Sequence, residues 1–197
     1  SSSAASDVYK RQLVIGGVIA TLIVHVKALD RSLMPWVIAS QTVPVLAIAP
    51  MVVVVLGNLG LSGLVPKVAI AAYLAFFPIV VGLVKGMRAP ETIQFELLQT
   101  YSARESEIFS KLRLPASVAF LFPTLRVSAA LAVMGAIVAE LPTGAQAGLG
   151  SRLLAGSYYG QTLMVWSALL AASLLSALIL GILSLLEAGL RWQRGGR

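Results

Sequence analysis

Five apolar stretches separated by short polar segments are the main pattern along this chain. A helix rises about 1.5 Å per residue, so about 20 apolar residues cross a hydrocarbon core about 30 Å thick. An unpaired backbone group in lipid costs several kcal/mol, so each stretch is expected to be helical. The pattern predicts an all-α, polytopic transmembrane helix bundle with about five spans. They are Leu13–Val26, Trp36–Leu56, Leu64–Val84, Phe120–Ala139 and Thr162–Leu186.

Prolines interrupt two of these stretches. Pro44 and Pro50 lie in the second and Pro78 in the third. Proline removes a backbone donor, which a transmembrane helix tolerates where neighbouring helices or water satisfy the freed carbonyl. The second stretch is therefore expected to be a kinked helix packed inside the bundle. Pro44 and Pro50 are either ordinary kinks or part of a solute pathway and its gate.

The composition supports a membrane environment. Of the 197 residues, 58% are hydrophobic and 12% are charged, whereas a soluble domain carries about 25% charged residues. The net charge of +7 comes from basic residues that lie between the apolar stretches, which favours membrane topology over nucleic-acid binding. The absence of cysteine and the single histidine exclude disulfides, thiolate metal sites and multi-histidine metal sites.

Lysine and arginine are unevenly divided between the two sets of loops. One set of segments holds Lys27, Arg31, Lys85, Arg88, Arg104, Lys111, Arg113, Arg191, Arg194 and Arg197, and the other set offers only Lys67 and Arg152. The positive-inside rule places the richer set in the cytoplasm, including the basic tail 191–197. Arg126 lies inside the fourth stretch and is expected to snorkel to the interface or to pair within the bundle.

The N-terminal residues 1–12 break the charge pattern. Lys10 and Arg11 fall on the side that should be poor in positive charge, and DVYKRQ, Asp7–Gln12, reads as the translation of a transposon end used to prepare sequencing libraries. Residues 1–12 are therefore predicted to be a non-native or disordered tail. The native protein is expected to have a longer first span and a further helix before it, giving six spans.

A charged segment, residues 91–115, separates the third and fourth stretches. Glu91 and Thr92 suit a helix N-terminus, and Ile93, Leu97 and Tyr101 then recur every four residues as an apolar stripe. The pattern predicts a short amphipathic helix that ends near Tyr101.

A second short helix is predicted to follow at once. Ser102 and Glu105 have the spacing of a capping box, so this helix is expected to begin at Ala103. Leu114-Pro115 is expected to end it and to turn the chain toward the fourth span.

Two amphipathic helices with a sharp joint suit a groove on a partner protein. The alternative is a helix pair lying on lipid headgroups. The acidic residues of the segment, Glu91, Glu96, Glu105 and Glu107, would be repelled by an anionic leaflet, which favours the partner protein.

The chain lacks the residues of a catalytic or nucleotide-binding site. It contains no G-x-x-x-x-G-K-[ST] loop, so any ATP hydrolysis must come from another chain. No paired carboxylates or Ser/His/Asp set is visible, so we expect a transport subunit and not an enzyme. A secondary transporter or channel driven by an ion gradient is the alternative, and acids lying almost entirely outside the spans count against it.

The segment Glu140–Gln161 between the last two spans is rich in glycine, which suits a re-entrant or tightly turned loop. Glu140 is either an interface carboxylate or part of a gate. Tyr158 and Tyr159 belong either to an aromatic belt at the membrane interface or to a contact with a solute-binding protein or solute.

The charged segment resembles the signature loop of binding-protein-dependent ABC importer permeases, which reads E-A-A, three residues, G, nine residues, I-x-L-P. Glu96 falls on the E, Ser102 on the G, Leu112 on the I and Leu114-Pro115 on L-P, with the spacing intact. Leu97 and Leu98 replace the two alanines, and Ser102 replaces the glycine. The resemblance covers about residues 13–190, predicted to be one importer transmembrane domain. Ala39–Gly57 and Leu114–Gly150 resemble the branch that handles nitrate, sulfonates, taurine and pyrimidine precursors.

The resemblance implies a permease subunit in a bacterial inner membrane, working as a homodimer or pseudodimer. Its implied partners are ATP-binding cassette subunits, which hold ATP and Mg²⁺, and an extracytoplasmic solute-binding protein. No cofactor is implied in this chain. The signature loop would be the coupling helix that fits a cleft of the ATPase, and the residues implied in coupling are Glu96, Leu97, Leu98, Tyr101, Ser102, Glu105, Leu112, Leu114 and Pro115.

Overall fold

The computed structural model describes residues 15–40, 42–61, 63–141 and 148–193, and these residues are almost entirely helical. The predicted tail 1–12 and the last residues of the basic tail, 194–197, lie outside the described residues. In chain order the helices are α1 (Ile15–His25), α2 (Lys27–Ser40), α3 (Val45–Asn58), α4 (Leu64–Arg88), α5 (Thr92–Thr100), α6 (Glu105–Ile108), α7 (Leu114–Glu140), α8 (Leu149–Tyr158) and α9 (Thr162–Gln193), with a π-helical segment (Phe109–Arg113) between α6 and α7.

Three helical stretches in the described residues are long and apolar enough to cross a membrane. They are Leu64–Arg88, Glu105–Glu140 and Thr162–Gly189, and two shorter apolar helices, Ile15–His25 and Val45–Asn58, accompany them. The predicted third, fourth and fifth spans are thus confirmed as helices, with ends that extend beyond the apolar cores. The all-α bundle predicted from the hydrophobic pattern is also confirmed.

The prediction of one kinked helix over Trp36–Leu56 is wrong. The chain forms two helices there, α2 ending at Ser40 and α3 beginning at Val45. Pro44 is the residue before α3 and has extended backbone (φ −68°, ψ 110°), and its ring disfavours a helical conformation for the residue that precedes it. Pro50 lies inside α3 without ending it, so Pro44 alone coincides with the break.

Helices α4 and α7 pack against each other along most of their length because small residues let the two backbones approach. A Cβ added at Gly82 would lie 2.0 Å from Thr124 Oγ1, and one added at Gly86 would lie 2.7 Å from Ser117 Cα. Small residues four apart permit this kind of close helix approach in membranes. The α4–α7 pair is therefore the centre of the bundle.

The other helices add to this pair from different sides. Ala20 and Ile23 of α1 join a buried cluster with residues of α4 such as Val84 and Met87. Ala49 of α3 packs in a second cluster with α4 and the end of α7. Helix α9 contacts α7 and α8 but leaves most of its large apolar side chains exposed, as expected of a peripheral helix whose remaining surface faces lipid or another chain.

Candidate functional site

The charged segment begins with α5, whose apolar stripe faces away from the bundle. Ile93, Leu97 and Tyr101 are 67%, 57% and 78% exposed, whereas Phe95 and Leu98 are half-buried. The helix starts as predicted at Thr92, and the Glu91 N–H donates to the Gln94 side chain (3.1 Å). Because exposing apolar side chains to water is unfavourable, this surface is suited to contact another molecule.

The joint between α5 and α6 is formed by backbone hydrogen bonds at the end of α5, and not by the predicted capping box. The Ser102 N–H donates to the Gln99 carbonyl (2.8 Å) and the Ala103 N–H to the Leu98 carbonyl (3.0 Å). Ser102 has φ +54°, in the left-handed region. These two bonds and the positive φ together form a Schellman motif, in which glycine is the usual residue at the position that Ser102 occupies.

The predicted capping box between Ser102 and Glu105 is therefore wrong. Helix α6 begins two residues later than expected, at Glu105, and the Arg104 N–H donates to Glu107 Oε2 (2.9 Å). Ser102 cannot cap the second helix because its backbone is already turned into the left-handed end of the first. The signature-loop glycine is replaced here by a serine that adopts the conformation glycine would supply.

Replacing Ser102 with glycine is expected to stabilise the joint by about 1 kcal/mol, because the left-handed conformation costs an L-residue about 1–2 kcal/mol and glycine almost nothing. Ser106→Gly, inside α6, is the matched control and should destabilise by up to about 1 kcal/mol. Hydrogen exchange of the Ala103 amide, measured in nanodiscs, reports the joint. Exchange that is faster in Ser102→Gly than in the unmodified chain would contradict the expectation.

The prediction that Leu114-Pro115 ends the second helix is also wrong. The chain runs from α6 through the π-helical segment into α7 without a break, and the Leu114 N–H donates to the Phe109 carbonyl. Pro115 has no N–H and its ring would crowd the carbonyl four residues earlier in a regular helix. The wider π turn directly before it provides room, so the proline is accommodated within one continuous helix.

Glu107 stabilises the start of α6 electrostatically. The Arg104 backbone N–H, and after it the Lys111 ammonium at 3.0 Å, lower the pKa of the Glu107 carboxyl. A carboxyl whose pKa is lower in the folded state contributes stability at neutral pH and loses it as the pH falls through that lowered pKa. The first turn of α6 is therefore intact at neutral pH and weakens only in acid.

The signature residues do not all share one surface. Glu96, Leu97, Tyr101, Ser102, Glu105, Leu114 and Pro115 are exposed, whereas Leu98 and Leu112 are half-buried. Leu98 and Leu112 thus support the segment from the bundle side. The exposed signature residues lie on α5, the joint, the first turn of α6 and the start of α7.

A second polar cluster lies at the opposite end of α7, around Glu140. The Lys67 ammonium of α4 lies 2.8 Å from Glu140 Oε1, and the N–H of Gly150 in α8 donates to Glu140 Oε2 at 2.8 Å. Gly148 has φ +151°, and a Cβ there would lie 2.3 Å from the Glu140 carboxylate. Glu140 therefore joins the ends of three helices.

The surroundings of Glu140 differ from the loop that the glycines predict. Helix α8 occupies Leu149–Tyr158, while Gly144 lies outside the described residues. The structure does not bring Pro44 and Pro50 into the Glu140 cluster: Pro44 is exposed directly before α3 and Pro50 is exposed on α3. Tyr158 and Tyr159 are exposed at the turn before α9 and form an edge-to-face pair with ring centroids 5.2 Å apart.

An ion pair inside the bundle joins Arg126 of α7 to Glu187 of α9. The Glu187 side chain is 8% exposed and that of Arg126 is 43% exposed. The expectation that Arg126 pairs within the bundle is confirmed, but Glu187 was missed because the fifth stretch was ended at Leu186. The apolar residues Ala188 and Leu190 after it are a signal that the helix continues and that Glu187 lies within it.

Known proteins are similar to this chain in sequence. The family described as binding-protein-dependent transport system inner membrane component matches residues 12–192. Formylaminopyrimidine transport permease protein ThiX of Halalkalibacterium halodurans is 34% identical over 138 residues, 70% of this chain and 53% of its own. Riboflavin transport system permease protein RibX of Chloroflexus aurantiacus is 30% identical over 170 residues, 86% of this chain and 62% of its own.

A third relative, SsuC of Bacillus subtilis, is named for the transport of aliphatic sulfonates and is 28% identical over 154 residues, 78% of this chain and 54% of its own. The chain thus spans between about half and two thirds of the length of these relatives. The family match nevertheless covers almost all of its helices, so the chain belongs to the binding-protein-dependent transport system inner membrane components, the permease family of type I ABC importers.

Proposed function

We propose that this chain is the membrane-spanning permease subunit of an ATP-driven importer and that it couples to a separate ATP-binding subunit through the charged segment 91–115. The observation that carries the proposal is the exposed stripe of Ile93, Leu97 and Tyr101 on α5. A short helix with an apolar outer face and a fixed joint is the shape that docks into a groove of another protein.

Charge on the same helix favours a protein groove over a lipid surface. Glu91 and Glu96 are exposed beside the stripe, and an anionic leaflet would repel both carboxylates. A groove with basic residues at its rim would attract them while its apolar floor covers the stripe. The coupling surface is thus proposed to comprise the apolar stripe and its flanking carboxylates.

The docking proposal is tested by Leu97→Glu in the full-length permease, with Gln99→Glu as the matched control. Both changes add one carboxylate to exposed positions of α5, but only Leu97 belongs to the stripe. Leu97→Glu is expected to lower the affinity for the co-expressed ATP-binding subunit about tenfold or more, since burying a leucine contributes about 1.5–3 kcal/mol. The affinity of Gln99→Glu should stay within about twofold of the unmodified chain.

Co-purification of the two subunits followed by titration in detergent gives both affinities. An unchanged affinity in Leu97→Glu would overturn the assignment of the stripe. Equal losses in the two variants would show that added charge anywhere on α5 is sufficient, and would likewise overturn it.

The proposed solute is a small polar organic molecule or anion in the range of pyrimidine precursors and sulfonates. The support comes from relatives named for formylaminopyrimidine, riboflavin and aliphatic sulfonates. The proposed assembly has two permease copies, two ATP-binding subunits that hold ATP and Mg²⁺, and an extracytoplasmic solute-binding protein. It lies in a bacterial inner membrane with the basic C-terminus of this chain in the cytoplasm.

Transport in proteoliposomes separates this mechanism from one driven by an ion gradient. The assembled importer should accumulate the solute delivered by its binding protein only when ATP and Mg²⁺ are present on the side of the ATP-binding subunits. Accumulation driven by a proton or sodium gradient without nucleotide would contradict the proposal and favour a secondary transporter.

A further inference from the structure

Arg113, at the end of the π-helical segment, contacts two other helices, α5 and α4. Arg113 closes the π-helical segment that leads into α7. Its guanidinium carbon lies 4.9 Å from the ring centroid of Phe95 on α5, and its NH1 lies 3.5 Å from the Met87 carbonyl oxygen in the last turn of α4. Arg113 is half-buried, so these contacts are partly shielded from water.

Both contacts favour a cation, and the contact with the ring favours a guanidinium in particular. A cation over an aromatic face is attracted by the ring quadrupole, and a cation at a helix C-terminus is attracted by the unpaired carbonyls and the helix dipole. A lysine ammonium would carry the charge but would lack the planar group that stacks on the ring. The position therefore depends on arginine in particular.

Helix α5 depends on contacts of this kind because little else holds it. None of its residues is buried, and its stripe faces away from the bundle. Phe95 and Leu98 are the apolar residues that it turns toward the bundle, and Phe95 is the one that Arg113 covers. Apart from the backbone at its two ends, α5 is thus joined to the spans through these two side chains.

We infer that Arg113 is a positioning residue: it ties α5 to the end of α4 and the start of α7, so that a displacement of the docked helix becomes a displacement of both spans. The inference rests on the proposed function. It adds that the efficiency of coupling is set by a contact inside the permease as well as by the surface that meets the ATP-binding subunit.

The same end of the bundle offers a matched control. Arg88 in the last turn of α4 pairs with Asp30 of α2 at 2.9 Å, a contact that does not involve α5. Asp30→Asn removes an ion pair at this end without altering the Arg113–Phe95 contact. A general loosening of the charged end would affect both variants, whereas a positioning role affects only the Arg113 variant.

A distance measurement tests the contact without any partner protein. The chain has no cysteine, so Leu97→Cys and Lys85→Cys, both at exposed positions, place a spin label on α5 and another on α4. Arg113→Met and Phe95→Leu are expected to broaden the label-to-label distance distribution in nanodiscs, whereas Asp30→Asn and Phe95→Tyr leave it unchanged. An unchanged distribution in Arg113→Met, or equal broadening in Asp30→Asn, would overturn the inference.

Transport efficiency supplies the functional test, in the assembled importer with unlabelled variants. Arg113→Met is expected to reduce the solute transported per ATP hydrolysed about two- to fivefold, the range of a cation–π contact expressed as an equilibrium ratio. Affinity for the ATP-binding subunit should be retained, because the stripe is unaltered, and Phe95→Tyr should transport normally. Unchanged efficiency despite a broadened distribution would overturn the coupling role of Arg113, while a chain that never binds an ATP-binding subunit would instead contradict the proposed function.

Discussion

Replacing Arg126 with leucine is expected to lower the free energy of unfolding by about 3–5 kcal/mol, because it removes the guanidinium from a carboxylate buried inside the bundle. The carboxylate of Glu187 is almost fully buried, whereas Arg126 is nearly half exposed. Glu187→Leu should therefore cost less than Arg126→Leu, since an exposed arginine can extend its charge toward a more polar region. The double variant Arg126→Leu/Glu187→Leu should regain most of the loss, because leucines can pack where the charges were.

Denaturant unfolding in mixed micelles measures all three variants. Arg152→Leu, an exposed arginine on α8, removes the same charge and should change the free energy of unfolding by no more than about 0.5 kcal/mol. The free energy of unfolding of Arg126→Leu should be lower than that of Glu187→Leu. A double variant less stable than both single variants would show that Arg126 and Glu187 support the bundle through separate contacts.

Gly86→Ala is expected to cost about 1–3 kcal/mol, because the new methyl group would lie 2.7 Å from the Ser117 Cα and the two central helices would have to separate. The obstacle is backbone, which cannot rotate away as a flexible side chain can. The lost stability comes from the α4–α7 contact at the centre of the bundle. The yield of folded protein should therefore fall as well.

Gly181→Ala is the matched control because a Cβ at Gly181 in α9 meets nothing within 4 Å. Alanine favours a helix over glycine by up to about 1 kcal/mol, so this variant should be unchanged or slightly more stable in the same unfolding assay. If Gly86→Ala behaved like Gly181→Ala, α4 and α7 would not be in the close contact that the structure describes.

The spans and the exposed stripe were predictable because each depends on the order of apolar residues along the chain. The predicted spans Leu64–Val84 and Thr162–Leu186 follow from the length of their apolar runs, and the observed helices, Leu64–Arg88 and Thr162–Gln193, start at the same residues and extend further. Ile93, Leu97 and Tyr101 follow from a four-residue spacing, and the structure places all three on one exposed side of α5. Both signals depend only on the local order of residue types, so tertiary packing does not change them.

The errors arose where one sequence signal fits two backbone geometries. Pro44 is compatible with a kink or with a break, and only the packed chain shows a break. Ser102 and Glu105 have the spacing of a cap, but so do Arg104 and Glu107, and the left-handed backbone of Ser102 decides between them. Pro115 normally ends a helix, and the π turn that accommodates it has no recognisable residue pattern.

The unbroken helix from Glu105 to Glu140 has a mechanical consequence. Its 36 residues make a rod about 54 Å long, at about 1.5 Å per residue. One tip carries the first turn of α6, part of the charged segment proposed for coupling, and the other carries Glu140, which contacts Lys67 and Gly150. A tilt of about 10° about the midpoint of such a rod would swing each tip by about 5 Å in opposite directions. A displacement of the first turn of α6 would thus move Glu140 and its contacts with Lys67 and Gly150 in the opposite direction at the other end of the helix.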